Sequence, residues 1–102
     1  MATTREARSG KITFLRVHDV GTGFGPPEDF IDVEVVILLD TSTDGGAFGF
    51  KLRNDDEEPA HQGMLNLLRD AFENNFTVSI DFDIDREFGR KNGFIIRVAL
   101  TK

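Results

Sequence analysis

Three aspartates at alternate positions, Asp81, Asp83 and Asp85, are the residues of this chain whose spacing first suggests chemistry. A calcium loop opens with oxygen donors at its first, third and fifth places. It also needs glycine at its sixth place and glutamate at its twelfth, where this chain has Arg86 and Asn92. A strand explains the triplet more simply, since every second side chain then faces water while Phe82 and Ile84 turn inward. Divalent-cation binding at acidic residues stands as an alternative, and no metal ligand is assigned.

The segment Gly21-Thr22-Gly23-Phe24-Gly25-Pro26-Pro27 has the glycine content of a phosphate loop. Such loops aim backbone N–H groups and a helix N-terminus at the anion, whereas here two prolines remove donors and a strand pattern follows. No Lys-Ser or Lys-Thr pair is present to meet phosphate and magnesium. The segment reads as a shaped structural loop, with Phe24 as its one candidate contact.

A third constellation is basic: Arg86, Arg90 and Lys91 flank Phe88, Arg97 follows, and Lys51 and Arg53 stand on another strand. An aromatic ring with neighbouring cations can stack a base while the cations meet phosphate. Asp83, Asp85 and Glu87 interleave with them, and the chain has no Trp or Tyr. His18 and His61 have no second ligand at a metal-like spacing and read as packing at the core's edge. With no cysteine, no Gly-x-Ser-x-Gly elbow and no His-Glu-x-x-His, neither catalysis nor a cofactor is expected.

The elements that must position these groups are bounded by composition. The 102 residues, 39% of them apolar, hold material for one core, so residues 11–102 are expected as a single globular domain. Residues 1–10 carry Arg5 and Arg8 but no apolar run, and read as a flexible N-terminal arm with no signal or membrane segment. A net charge of -6 disfavours nucleic acid as a partner. A cytoplasmic address and no membrane partner follow as expectations.

Hydrophobic periodicity then gives the order. Lys11 to Val20 is apolar on both parities, as in a strand that bends to serve two parts of a sheet. Phe30 to Asp40 reads as a second strand with Ile31, Val33, Val35, Ile37 and Leu39 on one face. Asp44-Gly45-Gly46 is a turn. Ala47 to Arg53 is a third strand, with Phe48, Phe50 and Leu52 inward and Gly49 leaving room for a bend or a close neighbour. From about 60 to 75, His61, Met64, Leu65, Leu68, Ala71 and Phe72 form one helical stripe after Pro59. Phe76, Val78, Ile80, Phe82 and Ile84 make a fourth strand with a wet opposite face, and Phe94, Ile96, Val98 and Leu100 a fifth.

Three strands, a helix and two strands resemble, over about ninety residues, the five-stranded oligonucleotide/oligosaccharide-binding fold (OB-fold). The expected class is therefore mainly β, a five-stranded antiparallel β-barrel. The alternative is an α+β open meander sheet with the helix packed on one face. The resemblance implies a binding face rimmed by the loops after the first and fourth strands.

The leading expectation is a small non-catalytic binding or assembly module acting on another protein or a second copy through strand edges or a sheet face. Val36 and Leu38 motivate it, since they share a face with Asp32 and Glu34 and would leave an apolar patch exposed. The alternative is weak single-stranded nucleic-acid binding through Lys51, Arg53, Arg86, Phe88, Arg90 and Lys91.

Overall fold

The computed structural model describes residues 3–53 and 55–101. It is mainly β, a five-stranded mixed sheet with one helix: β1 (Thr4–Val17), β2 (Val35–Leu39), β3 (Phe48–Phe50), α1 (Glu58–Asn74), β4 (Thr77–Ile84) and β5 (Gly93–Thr101). Hydrogen-bonded neighbours run β1-β2-β3-β5-β4, and β4 pairs back onto β1. β5 rather than β4 therefore follows β3, which is not the sequential order of a meander.

Nor is the sheet wholly antiparallel: β3 and β5 run parallel, pairing at Phe48↔Gly93 and Gly49↔Phe94. Parallel neighbours need a long connection, which α1 and β4 supply together.

β1 bends as its two-sided apolar pattern implies. Thr4–Lys11 pairs with β4, Ile12–Val17 pairs with β2, and the register shifts between Ile12 and Phe14. The expectation of a flexible arm is corrected for residues 4–10, since β1 begins at Thr4, while residues 1 and 2 lie outside the described residues. Its inward positions are polar and gave no hydrophobic signal. Glu6 receives two hydrogen bonds of 2.9 Å from Arg86, and the Arg8 guanidinium lies 5.3 Å and 5.9 Å from the Phe48 and Phe82 ring centres. Long cationic side chains can thus cover apolar rings while keeping the charge solvated.

The second strand is shorter than its pattern. Val35, Ile37 and Leu39 enter the main core with Phe48, Phe50, Phe82, Leu68 and Ile80. Ile31 and Val33, expected on that same face, instead form a second cluster with Val36 and Ala47. The third strand also stops early, at Phe50 rather than Arg53. Gly49 is the close approach its sequence suggests, because an added Cβ would meet the Val35 carbonyl oxygen at 2.5 Å.

α1 carries Pro59 in its first turn and buries Met64, Leu65, Leu68 and Ala71. Phe72, expected in that stripe, is 47% exposed, while its neighbour Ala71 is buried. The helix ends at Asn75, left-handed at φ 58°, whose N–H donates to the Ala71 carbonyl. Phe76 N–H also donates to Ala71 O. Phe76 thus belongs to the cap rather than to β4, and its ring is exposed.

β4 alternates as its sequence dictates, with Val78, Ile80, Phe82 and Ile84 buried. β5 does not. The register shifts opposite Asp81/Phe82, so that Phe82 pairs with Ile95 while Asp81 pairs with Arg97. The extra residue, Ile96, puts Ile95 inside and turns Phe94 outward.

Candidate binding cleft

The loop between β1 and β2 folds over the outer side of β2 and β3. Ile31 and Val33 pack on Val36 and Ala47, with Phe14, Phe24 and Leu38 around them. Val36 is fully buried within the chain, and Leu38 and Phe24 are partly buried against the same cluster. The expected exposed patch of Val36 and Leu38 is therefore corrected: the chain's own loop covers it.

The loop is held at both ends. Arg16 stacks over Phe24 at 5.3 Å and donates to the Gly23 carbonyl at 3.1 Å. His18 Nε2–H donates to Val33 O at 2.6 Å, which leaves Nδ1 to accept from Arg16 Nε at 3.2 Å. At the far end, Asp29 accepts from the backbone N–H groups of Lys91 and Asn92. The Asn92 amide donates to Asp29 O at 2.9 Å, and its oxygen accepts from Ala47 N–H at 2.8 Å. One buried asparagine thus ties the β1–β2 loop, the β4–β5 loop and the start of β3.

The basic residues are not brought together. Arg53 is drawn into a carboxylate network: its Nε and Nη2 donate to Glu34 at 2.9 Å and 2.8 Å, and Nη2 also reaches Asp32 at 2.7 Å. Glu34, expected on a solvated face, is only 2% exposed. Burial pushes its carboxyl up, but the Arg53 hydrogen bonds and the Leu52 N–H outweigh this and hold it below the ordinary range. Arg86 pairs with Glu6, whose carboxyl is lowered by that contact. Phe88, Arg90 and Lys91 remain on the β4–β5 loop, Phe88 at 68% exposure.

The aspartate triplet is dispersed in the same way. Asp81 pairs with Arg97 at 2.9 Å and Asp83 with Arg5 at 3.1 Å. Asp85 is buried rather than wet, and among the described residues neither carboxylate oxygen has a hydrogen-bond partner. Among the described residues, no group of three acidic, histidine or cysteine side chains is arranged to hold a metal ion.

The feature that periodicity did not reveal is a cleft where β3 and β5 part. Their ladder ends after two residue pairs, while β5 continues to Thr101. Among the described residues, no hydrogen bond reaches the edge of β5 that faces away from β4 between Ile96 and Thr101. The first turns of α1 lie beside this gap and leave a cavity of about 420 Å³. Phe50, Met64 and Ile95 form its floor, Phe94 and Ile96 one wall, and Lys51 and His61 the polar side.

His61 bridges the two sides of the cleft. Its Nδ1–H donates to the Lys51 carbonyl, its Nε2 lies 3.7 Å from a Glu57 carboxylate oxygen, and its ring stands 5.4 Å from that of Phe50. The histidine expected as edge packing is thus the tie between the end of β3 and the helix. Of the candidate surface residues, only Lys51 lines this cleft. The cleft opens where β3 ends at Phe50 while β5 continues, and neither that early end nor the register shift at Ile96 has a local sequence signal.

Compared with known protein families, curated proteins and solved structures, the chain shows no significant match to any. No helix among the described residues is long and apolar enough to cross a membrane.

Proposed function

We propose that this chain is a non-catalytic binding module on an OB-type barrel, and that it takes an extended segment of another protein in the cleft between β3, β5 and α1. The barrel reading is supported by the strand order returning to β1 and by a helix between the third and fourth strands. The observation that carries the binding reading is the two-pair β3–β5 ladder, which among the described residues leaves β5 from Ile96 to Thr101 with a strand neighbour on one side only. An unpaired strand edge beside an apolar pocket suits recognition by strand addition: main-chain hydrogen bonds give affinity, and alternate side chains enter the pocket. Its volume falls within the range of ligand sites, about 300–1,000 Å³.

The usual OB face is a poor competitor here, because Ile31 and Val33 lie on it at 0% exposure. The test is a titration of labelled protein with a capped peptide alternating valine and threonine, followed by backbone amide shifts. Shifts should concentrate at Lys51, His61 and Ile95–Thr101. Their absence, or shifts confined to other segments, would refute the cleft reading.

One observation favours a second reading. Phe88 is exposed beside Arg90 and Lys91, a combination suited to stacking a base. Weak single-stranded nucleic-acid binding there would weaken steeply with salt. An anisotropy titration with a labelled oligonucleotide at low salt decides it, and no binding at about tens of micromolar removes it.

A further inference from the structure

The geometry points to an acidic side chain in the segment that the cleft takes, placed to meet Lys51; this rests on the cleft reading above. Arginines near both faces of the sheet are already committed: Arg5, Arg53, Arg86 and Arg97 each sit within 3.1 Å of a carboxylate. Lys51 lines the cavity, and no ion pair involves it among the described residues. Glu57, the one carboxylate on the cavity wall, is 73% exposed at its side chain and turns to His61 rather than to Lys51.

A cation at the rim of an apolar floor attracts an opposite charge more strongly than one on open surface, because the surroundings are less polarisable. Strand addition to β5 sends every second side chain of the guest toward Phe50, Met64 and Ile95. A carboxylate between such apolar positions would come from the opposite parity, at the rim with Lys51.

The chain's net charge of -6 works against this preference at long range, since it repels an acidic guest. The two influences therefore have opposite signs and can be separated. Two fluorescein-labelled capped hexapeptides, alternating valine and threonine with aspartate or lysine at one central threonine position, are titrated at the same ionic strength. The aspartate peptide should bind about fivefold more tightly, the discrimination expected of one partly screened ion pair. In Lys51→Gln, which keeps the carbonyl that His61 holds, the preference should vanish or reverse toward lysine.

Equal binding of the two peptides, or an aspartate preference that survives Lys51→Gln, overturns the acidic-guest inference and leaves the cleft reading standing. Failure of both peptides to bind at millimolar concentration overturns both.

Discussion

Replacing Glu34 by glutamine tests the energetic centre of the β2–β3 side. The carboxylate is 2% exposed and accepts from Leu52 N–H at 2.9 Å and from Arg53 at 2.9 Å and 2.8 Å. Glutamine keeps the shape and an acceptor for Leu52, but turns two hydrogen bonds between ionised partners into at most one from the Arg53 cation to a neutral oxygen. Hydrogen bonds to charged groups contribute about 1.5–3 kcal/mol each, so the loss should be roughly 2–3 kcal/mol. In a domain of this size that lowers Tm by roughly 8–24 °C.

The pH dependence sharpens the test. The folded carboxyl lies below its ordinary value of 4.5, so its stabilisation is fully present above that value. As pH falls through the ordinary value, the unfolded chain takes up the proton first. The contribution then shrinks, and it is gone once pH is below the folded value. Wild type and Glu34→Gln should therefore differ most near neutrality and converge on acidification, in urea unfolding monitored by circular dichroism. A change under about 0.5 kcal/mol, typical of a surface substitution, or a difference independent of pH, would refute the assignment of Glu34 as a buried, ionised acceptor. Asp32→Asn is the control: that side chain is 50% exposed, and its pairing should contribute only about 0.2–1 kcal/mol.

Further outcomes follow from the same contacts. Val36→Asp should unfold the chain or cost several kcal/mol, roughly the 3–5 of an uncompensated buried charge; a stable, soluble variant would restore Val36 as a surface residue. Asn92→Ala leaves Ala47 N–H and Asp29 O without their partner, at about 1–3 kcal/mol, and limited proteolysis should then cut faster between 21 and 30. Asp85→Ala should raise stability or leave it unchanged in thermal melts, because it removes a buried carboxylate with no hydrogen-bond partner among the described residues; a marked loss would mean that a partner exists. Gly49→Ala forces a Cβ to within 2.5 Å of Val35 O and should cost about 1–3 kcal/mol.

Local chemistry determined much of this protein. The strict alternation of Val78, Ile80, Phe82 and Ile84 and the helical spacing of Met64, Leu65, Leu68 and Ala71 bury the side chains their periods imply, and the two-sided pattern of β1 gives the bend between two partners, although it buries only Ile12 and leaves Val17 53% exposed. Those periods are properties of a few consecutive residues, and the sequence displays them directly. Tertiary structure alone decided the rest. Arg8 and Glu6 could be inward only once Phe82 and Arg86 stood opposite, Ile31 and Val33 changed clusters because the loop turned over Val36, and one inserted residue at Ile96 turned Phe94 outward. The cleft belongs to this second group. It exists because β3 ends where β5 continues, and how far two strands separated by a helix and a third strand remain paired is set by packing between distant segments.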